Sequence, residues 1–126
     1  INPQIAHGQV HGATVHGLGA ALMESMDYDA SGNLLTSTFS DYIPITSVNV
    51  PDIKYGNIET PSPFSYNGAK GMGEGGGAPL HTIAAALQDA LHGAGIIVNE
   101  SHHSAPKLFE RIASPNRAQV VSLTTR

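Results

Sequence analysis

The sequence predicts an α+β fold in the order helix, strand, strand, glycine-rich loop and helix. Apolar residues recur at helical spacing in Gly8–Met26 and again in Pro79–His92. Two stretches of β-type composition lie between these segments, and a glycine-rich segment separates the second stretch from the second helix. Because helices and strands do not alternate strictly, the order favours α+β over a doubly wound sheet.

Composition limits the class of protein. The chain has 126 residues, 40% of them hydrophobic, and a formal net charge of −4 with only 6 Lys and Arg. So few basic residues argue against a nucleic-acid surface, and no apolar run reaches the length of about 20 residues that crosses a bilayer. The absence of cysteine excludes disulfides, thiolate metal sites and cysteine nucleophiles within this chain.

The first predicted helix contains four glycines, at Gly8, Gly12, Gly17 and Gly19. Each glycine inside a helix costs about 1 kcal/mol relative to alanine. We therefore expect close packing of this helix against another backbone or a ligand. A frayed, partly helical entry is the alternative.

Two further helices are predicted. Leu80, Ile83, Leu87 and Leu91 form one apolar stripe in the segment that begins at Pro79, a residue suited to a first helical turn. A third helix is expected over Ala105–Ala113. Between them, residues 96–98 are expected to form a short buried strand or a docked tail.

The predicted strands are Leu34–Phe39 and Asp52–Thr60, with a turn over Asp27–Gly32 before the first. Pro44 and Pro51 interrupt the stretch between the two strands. A sheet this small leaves apolar faces uncovered, so we expect other polypeptide to cover them.

The segment Gly68–Gly77 contains six glycines and one acid, Glu74. It matches neither the phosphate-binding P-loop nor the dinucleotide fingerprint, because Lys70 is followed by glycine and no strand leads directly into the loop. Closely approaching backbone around a desolvated carboxylate would suit Glu74 to act as a general base. A loose surface loop is the alternative reading. Four other acids are predicted to be solvated, namely Glu24, Asp52, Glu59 and Glu100, and Asp41 is left unassigned.

Histidines give a weaker signal. His7 and His11 are one helical turn apart, and His16 follows, but no third ligand completes a metal site. They are better explained as helix-surface or cofactor-facing residues. We predict that His102 and His103 are solvated, or form a weak adventitious metal site.

Several stretches together resemble motifs of the molybdenum hydroxylase family, in the family's order. This family includes xanthine dehydrogenase, aldehyde oxidoreductase and the carbon monoxide dehydrogenase large subunit. The matching stretches are Ile1–Pro3 with Gly8–Glu24 (N-P…G-Q-x-x-G-x-x-x-Q-G-x-G-x-A-L-x-E), Phe39–Pro44 (F-x-D-Y-x-x-P), and Thr60–Pro63 with Gly68–Gly75 (T-P-S…G-x-K-G-x-G-E-x-G). The order looks closest to the carbon monoxide dehydrogenase-like branch.

The resemblance implies that residues 1–126 are the C-terminal segment of a molybdenum cofactor-binding domain in a longer subunit, so the chain would be a fragment or a separate small polypeptide. Glu74 matches the catalytic base, which takes a proton from the water-derived oxygen that attacks the substrate carbon. Gln9 matches a residue that hydrogen-bonds the cofactor. The loop beside the metal corresponds to Lys70, Gly71, Met72 and Gly73. None of these residues is a metal ligand. His16 stands where the family commonly has glutamine, so that contact is not carried over.

The resemblance also implies a molybdenum–molybdopterin cofactor, in its cytosine dinucleotide form, with 2Fe-2S clusters and FAD on partner domains or subunits. The expected partners are the remainder of the large subunit, those iron–sulfur and flavin units, and a small-molecule substrate. That substrate would be an aldehyde, an N-heterocycle or a carbon monoxide-like molecule. We expect the isolated chain to be inactive, and we predict a cytoplasmic location, with the periplasm left open. The alternative function is a non-catalytic protein-interaction domain that retains the motifs.

Overall fold

The computed structural model describes residues 1–73 and 77–113. Within them the chain forms three α-helices, α1 (Pro3–Leu22), α2 (Gly77–His92) and α3 (Ala105–Ala113). The described ranges contain no strand, and their β-type pairing is limited to one isolated antiparallel bridge between Tyr28 and Leu34. The three predicted helices are therefore present, whereas the strands are not.

Helix α1 begins earlier than its glycine-rich pattern indicated. The Asn2 side chain accepts a hydrogen bond from the Ile5 N–H at 3.1 Å, and Pro3 occupies the first turn, where its missing N–H costs nothing. The helix ends at Leu22, where the N–H groups of Met23 and Glu24 both donate to the Gly19 carbonyl, at 2.9 and 2.8 Å. An N-cap asparagine followed by proline was a signal for the earlier start.

Both strand predictions are wrong for a common physical reason. The segment 34–39 consists of bends and turns after the Tyr28–Leu34 bridge, and 52–60 has no paired neighbour in the described chain. A β-type composition makes a strand only when another strand supplies the ladder hydrogen bonds. Residues 96–98, the third candidate, are instead a docked tail.

Helices α1 and α2 pack against each other, and a glycine sets their distance. A Cβ atom built on Gly17 would collide with the Pro79 Cβ and lie 3.0 Å from the Leu80 backbone nitrogen. The close approach that we expected from the glycines of α1 therefore occurs at Gly17. Leu80, the first residue of the apolar stripe of α2, lies at this contact.

The tail after α2 closes one end of the helix pair. Ile96 and Val98 are buried, and the Gln88 side chain on α2 bridges this segment by accepting from the Val98 N–H at 2.5 Å and donating to the Ile96 carbonyl at 3.4 Å. Arg111 on α3 donates to the Ile97 carbonyl at 2.8 Å. The Gln88 amide thus forms the backbone hydrogen bonds that a neighbouring strand would form in a sheet.

The prediction that His102 and His103 are solvated is wrong. His103 is 1% exposed, and its backbone N–H donates to the Ala21 carbonyl at 2.6 Å. The His102 Nδ1 lies 2.8 Å from the Ala20 carbonyl. The last carbonyls of a helix have no partner within it, and this histidine pair binds two of those of α1.

Candidate functional site

The two glycine-rich segments meet through one long-range hydrogen bond. Gln9 on α1 donates from Nε2 to the carbonyl oxygen of Gly73 at 3.1 Å, across 64 residues of sequence. Both residues are exposed. The structure thus brings together Gln9 and the glycine loop, both of which the family resemblance had assigned to the cofactor.

The base of the glycine loop is fixed by short-range hydrogen bonds. The Ser65 hydroxyl donates to the Ala69 carbonyl at 2.8 Å, the Ser62 N–H donates to the Gly68 carbonyl at 2.9 Å, and the Lys70 ammonium donates to the Thr60 hydroxyl. Gly68 has a φ of +73°, and a Cβ there would lie 2.9 Å from the Pro61 Cβ. Glycine is therefore required at this turn.

Beyond its base, the loop and the neighbouring face of α1 are open. A Cβ built on Gly71 or Gly73 would meet no described atom within 4 Å, and the same is true of Gly12. By helical spacing, Gly12 lies on the face of α1 that carries Gln9 and His16, and all three are exposed. No atom of the described chain packs against these glycines.

The remaining predicted site residues are placed as follows. Lys70 and Met72 are exposed, with 44% of Met72 accessible. Glu74 lies outside the described residues, so its role as general base stays a prediction. The Gln9 amide and the Lys70 ammonium each have N–H groups beyond those donated to Gly73 and Thr60. These donors fit an anionic cofactor such as a molybdopterin.

The histidines of α1 do not assemble a metal centre. The rings of His7 and His11 lie 4.1 Å apart between centroids, and His7 also contacts the Tyr55 ring at 4.6 Å. No group of three or more candidate ligands that could hold a metal is found in residues 1–73 and 77–113. The His11 Nε2 is buried without a hydrogen-bond partner in that part of the chain. These residues attach the segment around Tyr55 to the N-terminal half of α1.

The prediction that Glu24 is a solvated helix-face charge is wrong. It lies just beyond the end of α1, is half-buried, and accepts a hydrogen bond from the Tyr42 hydroxyl at 2.5 Å. This hydrogen bond raises the pKa of Tyr42 above its ordinary value, because the carboxylate stabilises the protonated phenol. The pair joins two of the stretches singled out in the sequence, Gly8–Glu24 and Phe39–Pro44, which spacing alone could not reveal.

Exposed apolar side chains include Phe39, Phe64, Tyr66 and Phe109. None of the three helices is long and apolar enough to span a membrane. Large exposed apolar side chains of this kind are typical of a surface that packs against other polypeptide.

The fold and site define a class of protein segment: a helical segment with a glycine-rich loop hydrogen-bonded to its first helix. A family model described as a molybdopterin cofactor-binding domain matches residues 1–51. The chain is 42% identical over 102 residues to the large subunit of nicotine 6-hydroxylase from Paenarthrobacter nicotinovorans, covering 79% of this chain and 12% of that protein. It is 36% identical over 121 residues to the carbon monoxide dehydrogenase large chain from Hydrogenophaga pseudoflava, covering 94% of this chain and 15% of that one.

Among solved structures, quinoline 2-oxidoreductase from Pseudomonas putida 86 superposes with a TM-score of 0.77 at 36% identity, covering 89% of this chain and 14% of its own. The chain belongs to the molybdenum hydroxylase family and corresponds to part of its large subunit. It spans 12% and 15% of the length of the two relatives described.

Proposed function

We propose that this chain is the part of a molybdenum-dependent hydroxylase or dehydrogenase that carries the catalytic base. The complete enzyme oxidises a carbon centre with oxygen derived from water, and Glu74 accepts the proton. The observation that carries the proposal is the Gln9–Gly73 hydrogen bond, because it holds the residue before Glu74 against the face of α1 that the cofactor would meet.

The residues of this chain have two proposed roles, cofactor binding and proton transfer. The proposed cofactor site is lined by Gln9, Lys70, Gly71, Met72 and Gly73. The side chains of Gln9 and Lys70 supply hydrogen-bond donors, and the glycines allow the cofactor to approach the backbone closely. The molybdenum–molybdopterin group, proposed in its cytosine dinucleotide form, would supply the redox chemistry. A carboxylate held in a desolvated site is suited to accept a proton near neutral pH.

The substrate belongs to the class of aldehydes, N-heterocycles or carbon monoxide-like molecules. This range includes nicotine and carbon monoxide, after which two of the relatives are named. The remainder of the large subunit, and units carrying 2Fe-2S clusters and FAD, complete the proposed cytoplasmic enzyme. The isolated chain would be inactive, because most of the cofactor site would lie outside it.

The test is Glu74→Gln in the intact enzyme that contains this chain. A missing general base should lower turnover by about 10²- to 10⁴-fold, while molybdenum content stays at the wild-type level. Glu110→Gln is the matched control, since Glu110 lies on the exposed side of α3. Unchanged turnover in Glu74→Gln would end the assignment of the base. An intact assembly without molybdenum would favour the protein-interaction alternative.

A further inference from the structure

A pocket lies beside the C-terminal half of α1, away from the residues of the candidate cofactor site. It has a volume of about 290 Å³ and is lined by Met26, Thr36, Ser37, Thr38, Phe39 and Tyr42. The Tyr42 hydroxyl is bonded to Glu24, whose carboxylate lies beside Gly19 of α1. At about 1.5 Å per residue, Gly19 is about 15 Å along the helix from Gln9. This surface, which we call the 36–42 pocket, is therefore separate from the one around Gln9.

Three hydroxyl groups at the 36–42 pocket are already hydrogen-bonded within the chain. Those of Thr36, Thr38 and Tyr42 pair with the Asp27 N–H, the Asp41 carboxylate and the Glu24 carboxylate. The surface that remains is mainly apolar and includes the side chains of Met26 and Phe39. A polar group placed there would lose hydrogen bonds to water and gain few in return. The pocket therefore suits an apolar side chain.

Apolar side chains at the 36–42 pocket and next to it are exposed. Phe39 is 82% accessible and Met26 is 59% accessible, and the neighbouring Leu35 and Ile43 are exposed as well. Removing such surface from water is favourable in proportion to its area. The volume of about 290 Å³ is that of about ten water molecules in the liquid, which leaves room for a large side chain.

We propose that an apolar side chain from the remainder of the large subunit occupies the 36–42 pocket. This chain spans 12% and 15% of the length of the two relatives described, so most of such a subunit lies outside it. Segments of one polypeptide meet at a high effective concentration, which favours this occupant over a second copy of the chain. A small molecule suits the pocket less well, because ligand sites add to their apolar walls a few polar groups that fix orientation, and three hydroxyls here are already engaged.

The first experiment identifies the occupant in the intact enzyme that contains this chain. Phe39 is replaced by the photoreactive amino acid benzoylphenylalanine, the enzyme is illuminated, and cross-linked peptides are identified by mass spectrometry. We expect a cross-link to an apolar segment of the large subunit outside residues 1–126. The control carries the same amino acid in place of Ser31, which is exposed on the turn before the pocket and should not form that cross-link.

The second experiment measures what the contact contributes. Phe39→Ala removes a ring that is 82% accessible, so its loss disturbs little within the described chain. Because the ring is proposed to pack against the occupant, hydrogen exchange of a peptide covering residues 35–42 in the intact enzyme should accelerate about tenfold or more. Phe109→Ala is the matched control, since Phe109 is also exposed but lies on α3, and it should leave exchange in this peptide unchanged.

A cross-link from position 39 to the rest of the large subunit, with accelerated exchange in Phe39→Ala, supports the proposal. Cross-links only to a second copy of this chain, or to an iron–sulfur or flavin unit, overturn it, as does the absence of any cross-link or unchanged exchange. If neither variant assembles, the wild-type enzyme decides: hydrogen peroxide should oxidise Met26 about tenfold or more slowly than after unfolding in urea, and equal rates overturn the proposal. These results are independent of the proposed role of Glu74.

Discussion

The sharpest test of the fold compares two glycines of α1 that differ in their surroundings. A Cβ at Gly17 would collide with the Pro79 Cβ and lie 3.0 Å from the backbone of Leu80, whereas a Cβ at Gly12 would meet no described atom within 4 Å. Replacement by alanine at either position raises helix propensity by about 1 kcal/mol. The two substitutions therefore share the gain in helix propensity and differ only in the steric cost of the added methyl group.

At Gly12 the propensity gain stands alone, so Gly12→Ala should stabilise the chain by about 0.5–1 kcal/mol. At Gly17 the new methyl group meets backbone atoms and a rigid proline ring, which cannot rotate away. Overpacking of this kind costs about 1–3 kcal/mol and outweighs the propensity gain. We expect Gly17→Ala to be destabilising by up to about 2 kcal/mol, with the two variants about 1–3 kcal/mol apart, which is the steric cost alone.

The assay is hydrogen exchange of peptides from α1 and α2 in the intact large subunit, compared between the two variants. Equal stability of the two variants would refute the contact between α1 and α2 at Gly17. In the intact enzyme, Gly12→Ala should lower molybdenum content, because the added methyl group would occupy space that the proposed cofactor needs.

Two further predictions concern hydrogen bonds that hold the rest of the fold. Because the bond to Glu24 raises the pKa of Tyr42 above 10.0, its contribution to stability is complete below pH 10 and is lost as the pH rises through the raised value. The stability difference between wild type and Tyr42→Phe should therefore shrink above pH 10 in unfolding curves, and a pH-independent difference would contradict this reasoning. Gln88→Leu should cost about 1–3 kcal/mol, because the buried Val98 N–H loses its acceptor. Faster hydrogen exchange at Val98 would confirm it, and unchanged protection would show that another group holds the tail.

The helices were predictable because their signals are local. Helix α3 was predicted with the bounds it has, Ala105–Ala113, and α2 differs only by starting at Gly77 instead of Pro79. Apolar spacing and end signals within a few residues are enough for such elements. The strands failed because pairing depends on a partner that no local pattern can supply.

The candidate site was predictable in its parts but not in its assembly. Glycine density singled out the loop, and motif order linked Gln9 to it through the family resemblance. Neither could show that the Gln9 amide contacts the carbonyl of Gly73, nor that Glu24 accepts a hydrogen bond from Tyr42. Both contacts join segments far apart in sequence, so only the packed chain determines them.

The sequence by itself determined the helical segments, the acid within the glycine loop and the membership of a molybdenum hydroxylase family, because each depends on residues that are close neighbours or that recur in a fixed order. Only the tertiary structure decided which glycines allow helix packing and which stay open, because that depends on the atoms brought opposite each one. Gly17 is explained by α2, whereas Gly12, Gly71 and Gly73 face no described neighbour.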